Sequence, residues 1–179
     1  MIDTEEIIHR HCAGNSELER LLLQHSRDVA RRALQVADRH PELGLNREFL
    51  QEAAMLHDIG ITLVDAPGIH CHGTEPYIRH GLMGGQILRQ EGLPMHARVA
   101  ERHTGTGITR EAIEKQGLPL PLADYVPETL EEQVVCYADK FFSKSHPEHE
   151  KTFDEALRSL WKFGPECAAT MERWREQFD

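Results

Sequence analysis

The stretch Ala53-Ala54-Met55-Leu56-His57-Asp58-Ile59-Gly60 sets an imidazole beside a carboxylate at the end of an apolar run. Imidazole plus carboxylate is a divalent-metal pair. Adjacent residues on a helix point about 100° apart. Both can therefore reach one ion only at the helix end or in a cleft beside it. Alone, the pair reads equally as a buried histidine capped by its neighbour. Other residues change that reading. His25 lies within an apolar stripe, His80 and His103 fall on two later helices, and Asp139 shares the apolar face of another. A lone inward histidine is an ordinary core residue. An inward aspartate needs a cation or a donor, because an unpaired buried carboxylate is costly.

The elements that must position these side chains follow from periodicity. Leu18, Leu21, Leu22, His25, Val29, Ala33, Val36 and Ala37 recur at three- and four-residue spacing. That is an amphipathic helix, with Asn15 or Ser16 at its start and Pro41 and Gly44 ending it. A shorter helix precedes it, with Thr4 as N-cap. Asn46 caps the helix that delivers His57, and Gly60 is expected to terminate it. Pro76 suits the first turn of a helix carrying His80. Pro94 opens the helix to His103, Thr109 caps a short one, and Glu128 or Thr129 starts the helix to Asp139. A last helix is expected from about Glu148, broken at Gly164-Pro165. No alternating strand pattern is apparent, so the fold class is all-α. The chain reads as one domain, residues 1–179, long enough for a sizeable core.

Composition limits the partners. The 20 basic and 30 acidic residues leave a net charge of −10, which disfavours duplex nucleic acid. A small phosphorylated ligand needs only a local positive spot, which bound metal supplies. No run approaches the ~20 apolar residues of a membrane span, and the acidic first residues do not form a signal peptide, so a cytoplasmic protein is expected. Cys12, Cys71, Cys136 and Cys167 form no CxxC pair, and Cys136 and Cys167 are expected as core thiols. Twelve histidines among 179 residues are too many to pass over.

The order His25, His57-Asp58, His80, His103, Asp139, with Asp58-Ile59-Gly60 completing a His-Asp-Ile-Gly tetrapeptide, resembles the HD-domain superfamily of metal-dependent phosphohydrolases. The resemblance covers roughly residues 20–145, leaving 146–179 as a C-terminal helical extension. His80, in His80-Gly81-Leu82-Met83-Gly84-Gly85, and His103, in Arg102-His103-Thr104-Gly105, match the extra histidines of the two-metal branch. Bacterial HD-type diadenosine-tetraphosphate hydrolases carry a similar pattern. The resemblance implies a helical bundle with ligands converging from several helices. His25, His57 and Asp139 would hold one ion, His80 and His103 a second, and Asp58 would bridge. It implies one or two divalent ions per chain, with iron, manganese, zinc and magnesium not distinguished. It further implies an enzyme, a metal-dependent phosphohydrolase that cleaves a phosphoester or phosphoanhydride, most readily of a nucleotide, with metal-bound hydroxide. Such ions lower the pKa of bound water and clamp phosphate.

Around this set, Lys140 is a candidate to reach a phosphate oxygen or stabilise a leaving group, alongside Asp58. Thr104 and Arg102 are weaker candidates for substrate binding. The loop 61–75 carries His70, Cys71 and His72, which could line a pocket rim. Two other readings stand beside the leading one. The same ligand order is similar to that of HD-fold di-iron oxygenases, and a non-catalytic metal-dependent nucleotide-binding module would use the same residues. The partners expected are a small phosphorylated substrate, no duplex and no membrane, with a homodimer as a candidate assembly.

Overall fold

A computed structural model describes residues 1–179. Nine α-helices carry the chain: α1 Thr4–Cys12, α2 Ser16–Arg39, α3 Arg47–Leu56, α4 His80–Gln90, α5 Pro94–Glu101, α6 Arg110–Gln116, α7 Leu130–Asp139, α8 Phe153–Ser159 and α9 Pro165–Phe178. Strands are minor. β1 (Asp65–Ala66) pairs antiparallel with β2 (Cys71–His72), and β3 (Phe142–Ser143) with β4 (His146–Glu150). The expected all-α class is what the chain adopts.

Local chemistry explains the helix starts. Asn15 and Asn46 accept from the backbone of Leu18 and Phe49, satisfying otherwise orphaned N–H groups. Thr129 and Glu132 close a reciprocal capping box at α7. At α1 the cap is Asp3 rather than Thr4. α2 is the spine, lying against α3 and α7, while α4 packs on α5. One apolar cluster runs from Ile7 in α1 to Phe178 in α9. The C-terminal segment joins it through Tyr137, whose ring meets Phe141, Trp174 and Phe178.

Three expectations are corrected. Gly60 does not stop α3, which ends at Leu56 and passes into a 3-10 turn over Ile59–Leu63. Its φ is not positive. Glycine stands there for space: a Cβ would lie 1.8 Å from the His80 carbonyl oxygen and 2.5 Å from the Gly84 nitrogen. The turn and α4 thus approach backbone to backbone, which sets His80 beside Asp58. The segment from Glu148 is not helical. It belongs to β4, and α8 starts later behind Thr152, whose side chain accepts from Glu155. His103 lies just beyond α5 rather than on it. No helix is long and apolar enough to cross a membrane.

Candidate metal centre

The six residues singled out by spacing meet in one place. His25 comes from the middle of α2, His57 and Asp58 from just past α3, His80 from the first turn of α4, His103 from just past α5 and Asp139 from the end of α7. His25, His57, Asp58, His80 and His103 are buried. Their donor atoms fall into three overlapping groups: His25, His57 and Asp58; His57, His103 and Asp139; Asp58, His80 and His103. Within each group, the atoms lie within 4.8 Å of one another. Asp139 Oδ1 is 3.0 Å from His25 Nε2 and 3.3 Å from His57 Nε2. Asp58 Oδ1 is 3.4 Å from His103 Nε2 and 3.6 Å from His80 Nε2. Asp58 Oδ2 faces His25 Nε2 at 3.4 Å.

Three of the rings are held by one device. Nδ1 of His57, His80 and His103 meets the carbonyl oxygen three residues back, on Ala54, Tyr77 and Ala100, at 2.6, 2.6 and 2.7 Å. A carbonyl only accepts, so Nδ1 carries the proton. A neutral ring then turns the Nε2 lone pair to the centre, the form a metal takes. His80 and His103 show the consequence. Their Nε2 atoms are 3.0 Å apart, and Asp58 Oδ1, buried beside them, has no hydrogen-bond donor. Three acceptors around one point fit a cation. Burial keeps His25 and His103 below the ordinary imidazole range and pulls His80 down to about 3. For Asp58 and Asp139, burial raises the pKa but is outweighed. The charge of Lys144 holds Asp58, and Lys140 and His25 hold Asp139, well below the carboxylate range. His57 is also opposed by burial, yet its bond to Asp139 and the charge of Asp58 carry it upward.

The family model for the HD domain matches residues 22–143, which span all six residues. The chain belongs to the HD-domain family. A protein of Picrophilus torridus named tRNA (cytidine(56)-2'-O)-methyltransferase is 37% identical over 124 residues, covering 69% of this chain and 32% of that protein. One of the same name from Thermoplasma volcanium is 34% identical over 123 residues, covering 68% and 32%. An uncharacterised protein of Methanocaldococcus jannaschii is 45% identical over 94 residues, covering 51% of this chain and 47% of its own. This HD domain therefore spans about a third of the length of the two named relatives. No solved structure matches.

These relatives overturn the expectation of a metal-dependent phosphohydrolase, since they are named for methyl transfer to tRNA. The physical reason is that an HD ligand set specifies cations and their spacing, not the reaction carried out beside them. HD-family membership is shown by the match, whereas the diadenosine-tetraphosphate-hydrolase branch is not.

The remaining candidates divide by position. Lys140 of the HD domain reaches the centre, but its ammonium is committed, donating to Asp139 Oδ2 at 2.6 Å and to the His103 carbonyl at 2.7 Å. Arg102 points to acids outside the centre, 3.3 Å from Glu101 and 3.9 Å from Glu132. Thr104 sets its hydroxyl against Gly81, where α4 and the α5 end pass closely. His70 pairs with Glu17 and His72 is exposed, while Cys71 is buried. Lys144 was not foreseen. It donates to Asp58 Oδ2 at 2.6 Å from the β3–β4 hairpin. Eighty-six residues separate the two, so local spacing carries no trace of the contact. Cavities of about 310 and 170 Å³ both open on Asp139, Phe142 and Lys151; Lys144 lines the first, Lys140 and Lys162 the second. A larger cleft of about 520 Å³, between α6 and the start of α9, touches none of the six.

Proposed function

We propose that this HD domain binds divalent metal through His25, His57, Asp58, His80, His103 and Asp139, and receives the phosphate of a nucleotide at that centre. The observation that carries this is the charge of the mouth. On a chain of net charge −10, the two cavities that reach Asp139 are bordered by Lys151 and Lys162, beside Lys140 and Lys144, which answer Asp139 and Asp58. Lysines at a metal-lined opening recruit an anion against the field of the whole protein. Ser143, Ser145 and Ser159 add hydroxyls there. The donor set fits zinc or iron better than magnesium, because four imidazoles suit the softer ions. The acidic surface favours a ligand that meets the protein only at this mouth.

Binding of a nucleoside 5'-monophosphate, followed by calorimetry before and after chelation, tests the reading. Binding that requires metal and weakens about tenfold in Lys151→Ala supports it. Equal binding by the chelated protein overturns it. A second reading, participation in methyl transfer to tRNA, is favoured by the names of two relatives. Transfer of a labelled methyl group to tRNA in the presence of this chain would establish it, and absence of transfer would remove it.

A further inference from the structure

Each carboxylate of the centre has one oxygen held by a lysine. The two lysines are not equivalent. Lys140 sits at the end of α7, beside Asp139, and is doubly bonded, to Asp139 Oδ2 and to the His103 carbonyl. Lys144 stands between β3 and β4 and donates to Asp58 Oδ2. Its other neighbour is the Tyr77 ring, with Nζ 5.7 Å from the centroid. The strand beyond it is exposed throughout, and the pairing register shifts between Phe142 and Ser143. This arm is therefore carried by a short exposed hairpin, whereas Lys140 is carried by a helix end. The oxygen it covers is also the one that matters. Asp58 Oδ1 serves the His80–His103 side, while Oδ2 is the atom facing His25. With the lysine's charge on Oδ2, an ion on the His25 side meets that oxygen against repulsion.

We propose that Lys144 is an internal cation that competes with the ion on the His25 side, so that filling this side displaces the lysine and loosens the β3–β4 hairpin. The proposal rests on the metal assignment above. An ammonium and a divalent cation that meet at one carboxylate oxygen repel each other, so each weakens the other's hold on it. Removing the lysine removes the competitor and leaves Asp58 with an unanswered negative charge. Both effects favour metal. Lys140 has no such role, since its second bond, to a backbone carbonyl, keeps it in place.

The experiment uses the chelated chain, residues 1–179, titrated with Mn²⁺ alone, with no nucleotide present. Calorimetry counts sites and affinities, and amide hydrogen exchange follows residues 142–150. In the wild type, exchange of the hairpin should rise as the second equivalent binds. In Lys144→Met, the weaker site should tighten about tenfold, and hairpin exchange should no longer respond to metal. Lys144→Arg, which keeps the charge, should retain the weak site. Unchanged affinity in Lys144→Met overturns the proposal. Should that variant not fold, a wild-type hairpin indifferent to the second equivalent overturns it equally. Failure of the wild type to bind Mn²⁺ at all instead refutes the metal assignment, a separate outcome.

Discussion

Asp58 Oδ1 is buried without a donor and faces the Nε2 atoms of His80 and His103, themselves 3.0 Å apart. An orphaned carboxylate oxygen costs of order 1–3 kcal/mol unless a cation arrives. Asp58 also touches both halves of the centre, so its removal should cost more metal than removal of any one histidine. Asp58→Asn is expected to lose both ions, and His80→Ala with His103→Ala only one. Elemental analysis of purified variants decides between these outcomes. Retention of two ions by the double variant would place the second ion elsewhere. At this scale the sequence was informative where chemistry demands it. An inward Asp139 and the His57-Asp58 pair stand out because buried charge needs a reason. Lys144 did not, since a lysine in an exposed-looking tract carries no such demand.

Among the elements, the tightest join is the 3-10 turn after α3 against the start of α4. Gly60→Ala would push a methyl into the His80 carbonyl oxygen. Neither backbone can retreat without moving His80 or Asp58. A loss of about 3 kcal/mol or more is expected, near 10 °C in melting temperature for a chain of this size, with metal content falling alongside. A variant with unchanged melting and full metal would show that the turn yields. Helix positions were legible because apolar residues at helical spacing and Asn or Thr caps act locally. The β3–β4 hairpin was not. Phe142 through Glu150 has no apolar alternation, Pro147 interrupts it, and the charged run beyond suits a helix start equally well. Gly60 was read as a stop because glycine serves both ends and contacts, and only the packed partner tells which.

For the whole molecule, the centre joins α2, α3, α4, α5 and α7, so its charge state bears on global stability. Metal bound only by the folded chain at about a hundredfold over its dissociation constant adds ~2.7 kcal/mol. That predicts a melting temperature roughly 5–10 °C higher with metal than after chelation. Equal midpoints would separate the centre from the core. The metal-free protein should also be acid-sensitive. His25, His80 and His103 are held below the ordinary value, His80 at about 3. The unfolded chain therefore takes up protons below ~6.5 that the folded chain refuses. Stability is full above that pH and declines beneath it, by about 2 kcal/mol from His80 alone at pH 5. Asp58 and Asp139, depressed as well, add to the loss below pH ~4. His57, shifted upward, works in the opposite direction, one ring against three. A melting temperature flat from pH 7.5 to 5 would contradict neutral buried rings.

The carbonyl-tethered rings have a calorimetric consequence. Tyr77 and Ala100 settle which nitrogen of His80 and His103 is protonated before any ion arrives. Metal uptake by His80 and His103 then expels no hydrogen ion into the buffer. His57, with an acceptor at both nitrogens, is the ring placed to give one up. The measured heat of binding should therefore vary with the buffer's ionisation enthalpy by a slope near one proton per chain, not one per histidine.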